Sequence, residues 1–141
     1  MIAQEVTIIN LTKIKDSRGN LTFIESGSDI PFEIKRVYWI YDVPGGETRG
    51  SHAFRVQKEF IVALSGSFDV VVHDGKKENR FHMNRSYYGL YVPNRIWRYM
   101  DNFSTNSVAM VISSTSYDRT DYIFNFNEFL KLNEIESAIG I

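Results

Sequence analysis

The chain has 141 residues and a formal net charge of −1, which gives no global electrostatic basis for binding nucleic acid or an anionic membrane surface. With 43% hydrophobic and 14% aromatic residues it can bury a core, so we predict one folded domain over residues 1–141. The absence of cysteine rules out disulfides, zinc–thiolate sites and cysteine nucleophiles. No signal peptide is recognisable, and no apolar run reaches the roughly 18 residues of a membrane span, so we expect a cytoplasmic location.

Short apolar or alternating segments separated by turn residues run along most of the chain. The segments predicted as strands are residues 6–14, 21–25, 36–42, 59–64, 68–72, 87–92 and 107–113. A run of turn residues at 73–76 predicts a β-hairpin after the fifth of them. Many short strands at this spacing are typical of a β-sandwich or barrel, so the sequence predicts an all-β fold.

The C-terminal part changes character at about residue 118. Five apolar residues between there and residue 138 recur near helical spacing: Ile123, Phe126, Phe129, Leu130 and Ile135. This pattern predicts a helical tail over about residues 118–138, as one or two short helices packed on the outside of the sheets.

The most informative residues lie around His52. In a strand, alternate side chains share a face, so His52 and Phe54 point the same way. Glu59 follows seven residues after His52, Gly66 seven after that, and later Pro93 precedes Arg98 by five residues. This layout resembles the two motifs of the cupin superfamily, which implies a jelly-roll barrel.

In that superfamily the positions of Phe54 and Arg98 are usually histidines that ligate a metal. A phenyl ring and a guanidinium cannot do so, and the two ligands left are too few for a protein metal site. There is also no glycine-rich phosphate loop. We therefore expect neither a metal nor another cofactor.

A closer resemblance, spread over nearly the whole chain, is to the sugar-nucleotide 3,4-ketoisomerases. The matching segments are residues 16–19, 30–38, 49–53, 64–67, 89–93 with Trp97, and 117–123. The resemblance implies a metal-independent isomerase of deoxysugar biosynthesis, serving lipopolysaccharide or S-layer glycans. It further implies a homodimer, and a ligand that is a dTDP-linked 4-keto-6-deoxyglucose. The chain departs from the family where Phe54 replaces a second histidine and where Arg98 follows Trp97.

Moving a ketone from C4 to C3 of a sugar requires a base that takes a proton from C3, after which an enediol forms and a proton is delivered to C4. Histidine suits this role because its pKa lies near working pH, so His52 is the predicted base. Tyr38, on the same strand face as Arg36 and Ile40, is the candidate for moving protons between the sugar oxygens. Either residue could instead serve only in packing.

Arginine side chains match the geometry of a diphosphate, so four arginines are predicted to bind substrate: Arg18, Arg36, Arg49 and Arg98. Each could equally be a solvated surface charge. Trp97 could stack on the thymine ring or belong to the core. Ser51 and Glu59 complete the predicted substrate-binding set.

Two other histidines receive no role: His73 is predicted to lie in an exposed turn, and His82 has no partner at a meaningful spacing. Two alternative functions stay open. One is a sugar-nucleotide 3,5-epimerase, although no aspartate partner for His52 is evident. The other is a barrel that binds a nucleotide sugar without catalysis, which the loss of the second histidine favours.

Overall fold

The computed structural model of the chain describes residues 5–138, with side chains up to residue 135, so both ends of the predicted domain lie outside the described residues. Within that range the chain forms antiparallel strands and one α-helix. The strands are β1 (Thr7–Asn10), β2 (Lys13–Ile14), β3 (Leu21–Thr22), β4 (Arg36–Tyr41), β5 (Arg49–Phe54), β6 (Glu59–Ser65), β7 (Phe68–His73), β8 (Glu78–Met83), β9 (Tyr88–Val92), β10 (Trp97–Asp101), β11 (Val108–Ser113) and β12 (Tyr122–Ile123), and the helix is α1 (Phe126–Ala138).

Two five-stranded sheets face each other across the main core. Their strand orders are β1-β9-β6-β11-β4 and β12-β5-β10-β7-β8, while β2 and β3 form a small separate hairpin. The main core draws from both sheets, with Ile61 and Val111 of the first packed among Val70 and Met100 of the second. The all-β prediction is therefore confirmed.

The alternation of side chains along β4 places one of its faces towards the interior. Arg36, Tyr38 and Ile40 are half-buried, whereas Trp39 and Tyr41 on the other face are 59% and 60% exposed. The predicted common face of Arg36, Tyr38 and Ile40 is thus confirmed.

The C-terminal segment differs from the prediction of a helical tail from about residue 118. A single 3₁₀ turn at Arg119–Asp121 leads into β12, which pairs with β5, and α1 begins only at Phe126. Ile123 has helical spacing to Phe126, but it is placed by the strand pairing, because it lies opposite Ala53. The helix does pack outside the second sheet, where Phe129 is buried.

Besides β12, two strands escaped the sequence analysis. β8 has only two apolar residues, Phe81 and Met83, which is too short an alternation to mark a strand, and β10 interrupts its apolar residues with the charged Arg98. His73 was predicted to lie in an exposed turn, but it is the last residue of β7 and is half-buried. Its ring meets that of Phe126 edge-on, at a centroid distance of 5.1 Å.

No helix in the described part of the chain is long and apolar enough to cross a membrane.

Candidate active site

His52 lies on β5 in the interior of the protein, and it is 9% exposed. Three aromatic rings approach the imidazole edge-on, with centroid distances of 4.8 Å to Phe54, 5.0 Å to Tyr122 and 6.2 Å to Phe124. Its Nε2 atom is buried and has no hydrogen-bond partner among the described residues. Such an atom is costly to bury, so an unpartnered imidazole nitrogen here indicates a group kept for a ligand.

Burial is the main reason why the pKa of His52 is lowered from its ordinary 6.5 to about 2, and the positive charges of Arg98 and Arg36 lower it further. The imidazole is therefore neutral at working pH. A neutral imidazole can accept a proton, which is the state that a general base requires.

A buried ion pair lies beside His52 in the same sheet. One of its members is Arg98 of β10, which is paired directly with His52 on the adjacent strand β5. Arg98 and Glu59 are each 1% exposed. Arg98 Nε donates to Glu59 Oε1 at 2.9 Å, and Nη2 donates to Glu59 Oε2 at 3.1 Å. A charge this deeply buried is tolerated only when it is paired and hydrogen-bonded, and this one is.

Tyr38 joins the same network from the facing sheet. Its hydroxyl donates to Glu59 Oε2 at 3.0 Å and accepts from Arg98 Nη2 at 3.0 Å. Burial is the main cause that raises the pKa of Tyr38 above its ordinary value, so the phenol stays protonated. A hydroxyl that both donates and accepts can pass on one proton while it receives another.

The local backbone of β5 explains why Arg98 can lie in the interior. The register between β5 and β10 shifts between the Arg98 and Met100 pairings, which marks a β-bulge. At this bulge Gly50 has a φ of +74°, and its carbonyl oxygen accepts from Arg98 Nη1 at 2.8 Å. A Cβ atom at position 50 would collide with the Arg98 guanidinium, so both the backbone angle and the space require glycine.

Arg36 lies half-buried near this group, without a carboxylate partner among the described residues. Its guanidinium carbon is 5.2 Å from the centre of the Tyr38 ring and 5.4 Å from that of Tyr117. Nη2 makes two long contacts of 3.4 Å, to Gln57 Oε1 and to the Tyr122 hydroxyl, while the buried Nε has no partner. Its positive charge is therefore available to an anionic ligand.

The other predicted binding residues lie elsewhere. Arg49 and Ser51 are exposed, and Arg49 lines a pocket of about 410 Å³ with Trp39 and Tyr41. Arg18 is exposed and ion-paired with Asp16 at 2.9 Å.

Trp97 points away from this group of residues. Its ring packs against Phe126 and Phe129 of α1, at centroid distances of 5.4 Å and 5.9 Å. This placement matches the core alternative stated for Trp97 and lends no support to its stacking on thymine.

The structure adds residues that sequence reasoning did not consider as part of the site, above all Gln57, Tyr122 and Phe124. Tyr122 belongs to the family-like segment 117–123, so that match was an available signal. The sequence offered no comparable signal for Gln57, because a single glutamine between two strands is common in proteins of any function.

The arrangement offers little to a metal ion. Within the described residues no three His, Asp or Glu side chains come together as a possible metal site. Phe54 is 3% exposed in the interior, and Arg98 occupies the other position that a histidine ligand would need. The donor set does not fit a metal.

Comparison with known proteins agrees with this geometry. Residues 4–134 match the family model described as FdtA, WxcM-like, C-terminal. The chain belongs to this family. It is 43% identical to a TDP-4-oxo-6-deoxy-alpha-D-glucose-3,4-oxoisomerase of Aneurinibacillus thermoaerophilus. The alignment spans 127 residues and covers 90% of this chain and 91% of that protein.

Solved structures of the family superpose closely on this one. The WlaRB TDP-quinovose 3,4-ketoisomerase of Campylobacter jejuni matches with a TM-score of 0.86 and 40% identity, over 91% of this chain and 98% of that chain. QdtA, a sugar 3,4-ketoisomerase of Thermoanaerobacterium thermosaccharolyticum in complex with TDP, matches with a TM-score of 0.91 and 34% identity, over 96% and 98%. The predicted cupin-type fold and the predicted family are both confirmed.

Proposed function

We propose that this chain is a 3,4-ketoisomerase that moves the keto group of TDP-4-keto-6-deoxyglucose from C4 to C3. The observation that carries the proposal is a pair of buried, unpartnered polar atoms, Nε2 of His52 and Nε of Arg36, on two residues that both contact Tyr122. The first is a neutral base and the second belongs to an uncompensated cation. Such a pair suits a substrate that must lose a carbon-bound proton and carries negative charge.

The reaction can run with one base. His52 Nε2 takes the proton from C3, the electrons of the C–H bond form a C3–C4 double bond, and the carbonyl oxygen on C4 gains a proton. The hydroxyl on C3 then loses its proton, the C3 carbonyl forms, and C4 receives a proton from the imidazolium. The atoms balance, because the product is an isomer of the substrate.

Tyr38 is the proposed carrier of protons between the two sugar oxygens. Its hydroxyl proton is directed at Glu59, and Arg98 donates to its oxygen. These two contacts fix the hydroxyl, which gives a proton to the oxygen on C4 in the first step and recovers one from the oxygen on C3 in the second. Phe54 cannot share this work, because a phenyl ring carries no exchangeable proton.

The negative charge of the diphosphate is assigned to arginines. Arg36 has its charge uncompensated, and Arg49 is exposed at the start of β5, the strand that carries His52, so both remain proposed ligands. Arg18 and Ser51 are exposed and also remain in the proposed set. Arg98 and Glu59 bind each other, and we propose that they support Tyr38 and do not contact phosphate.

The homodimer also belongs to the proposal, together with a cytoplasmic location and a role in making lipopolysaccharide or S-layer glycans. The exposed apolar side chains on the outer face of β4 support a second copy, since Val37, Trp39 and Tyr41 are 42%, 59% and 60% exposed. Light scattering of the purified chain tests the dimer.

The test of function is NMR of TDP-4-keto-6-deoxyglucose incubated with the protein in heavy water. We expect a 3-keto product with deuterium at C4. In the variant His52→Asn we expect a loss of about 10²–10⁴-fold or more. The matched variant His82→Asn should keep full activity, because His82 is exposed and its ring nitrogen contacts Asp69, at 2.6 Å, away from the interior group around His52.

Other outcomes lead to different functions. Exchange at C5 would indicate a 3,5-epimerase, and binding of TDP without any exchange at C3 would indicate a barrel that binds without catalysis. Activity retained in His52→Asn would place the base elsewhere.

A further inference from the structure

Gln57 is a buried amide that lies between the Arg98–Glu59 ion pair and Arg36. It is 2% exposed, and its side chain is fully used in hydrogen bonding. Nε2 donates to Glu59 Oε2 and to Ser113 Oγ, both at 3.1 Å. Oε1 accepts from Thr115 Oγ1 at 2.7 Å and from Arg36 Nη2 at 3.4 Å.

The chemistry of its neighbours determines which way this amide faces. An ionised carboxylate only accepts hydrogen bonds, so the NH₂ group must face Glu59. The carbonyl oxygen must then face Arg36. The backbone is held as well, because Asp121 Oδ2 accepts from Gln57 N at 3.0 Å and Oδ1 accepts from Val56 N at 2.8 Å.

Because the Gln57 amide is neutral, its contact with Arg36 leaves the positive charge of the guanidinium in place. Glu59 already has Arg98 as its counter-ion, and no carboxylate among the described residues forms an ion pair with Arg36. The contact to Gln57 therefore orients the guanidinium without cancelling its charge. An isosteric glutamate in place of Gln57 would orient it equally well but would neutralise it.

We propose that Gln57 is a positioning residue for Arg36: it holds the guanidinium beside His52 and leaves its charge free for an anionic oxygen of the bound sugar nucleotide. This inference rests on the proposed function for the identity of the ligand. The oxygen has two possible sources, the diphosphate or the enediolate that forms on the sugar, and both offer the same chemistry to a guanidinium.

The decisive variant is Gln57→Glu, because its carboxyl group has two useful states. Protonated, it donates to Glu59 and mimics the glutamine. Ionised, it pairs with Arg36 and removes the free charge. Burial at this position and the adjacent carboxylate of Glu59 raise the pKa of the new carboxyl group above the ordinary 4.3 of glutamate, so it ionises as the pH rises above neutrality. The function served by Arg36 should therefore fall by about 10-fold or more from roughly pH 6 to pH 9, relative to the wild type.

Two measurements separate the sources of the anionic oxygen. Affinity for TDP by calorimetry reports on the diphosphate, whereas kcat and deuterium exchange at C3 report on the enediolate. A fall in TDP affinity assigns Arg36 to phosphate. A fall in kcat with unchanged TDP affinity assigns it to the reacting sugar.

Two further variants control the experiment. Gln57→Met removes the carbonyl at similar volume and should lower the same parameter without the new pH dependence. Asn79→Asp makes the same change of charge at an exposed position of β8 and should leave both parameters and their pH dependence as in the wild type.

The failures of the two proposals are distinguishable. A wild type that binds TDP but does not isomerise TDP-4-keto-6-deoxyglucose would refute the proposed function. The affinity for TDP would still test the role of Gln57. The inference is overturned if folded Gln57→Glu has the wild-type pH dependence in both parameters. Failure of both position-57 variants to fold at every pH would also overturn it, because Gln57 would then serve the fold.

Discussion

Replacing Arg98 by methionine removes one half of the buried ion pair and leaves the carboxylate of Glu59 in the interior without a counter-ion. Four hydrogen bonds of Arg98 disappear: two to Glu59, one to the Gly50 carbonyl and one to the Tyr38 hydroxyl. Breaking a fully buried pair from one side costs about 3–5 kcal/mol. Since both partners are 1% exposed, we expect Arg98→Met to lie in that range.

Such a loss is a large part of the roughly 5–15 kcal/mol that stabilises a typical domain. Urea denaturation followed by circular dichroism measures it.

A double variant gives the sharper test. In Arg98→Met/Glu59→Gln no charge is left in the interior, so the double variant should lose less free energy of unfolding than the two single losses added together, by about 2 kcal/mol or more. The reasoning is refuted if Arg98→Met costs less than about 1 kcal/mol, or if the cycle is additive.

Three further predictions concern the interior and its ligand. His52 has a pKa lowered to about 2, so the unfolded chain binds the extra proton below the ordinary pKa of 6.5 and stability falls as the pH drops through that window. Between pH 6.5 and 5, urea denaturation should show the wild type losing about 2 kcal/mol more than His52→Asn, and equal losses would contradict the low pKa. Arg49→Ala should weaken TDP binding by about 1.5–3 kcal/mol by calorimetry, whereas unchanged affinity would remove Arg49 from the site. Activity should survive chelators, because Phe54 and Arg98 stand where metal ligands would be needed; about one metal ion per chain by elemental analysis, with activity lost to chelator, would overturn this.

Local patterns in the sequence determined most of the strands and led to the proposal of His52 as the base. Alternation along β4 depends only on the two-residue repeat of an extended chain, so the common inward face of Arg36 and Tyr38 could be predicted without a partner strand. The spacing of His52 and Glu59 along the chain likewise carried the resemblance to the cupin superfamily, while the resemblance to the 3,4-ketoisomerases came from short segments spread over nearly the whole chain. The same reasoning failed for the C-terminal segment, where pairing of β12 with β5 overrode a helical spacing.

Only the tertiary structure decided what the charged and polar groups do. Arg98 looked like a phosphate ligand, but its pairing with Glu59 joins residues that lie 39 positions apart, and it depends on the bulge at Gly50. Gln57 gained its place from contacts with Glu59, Ser113 and Arg36, none of which the sequence around it reveals. Hydrogen bonds and burial are set by strand register and by the packing of one sheet on another, and these relations exist only once distant segments of the chain have met.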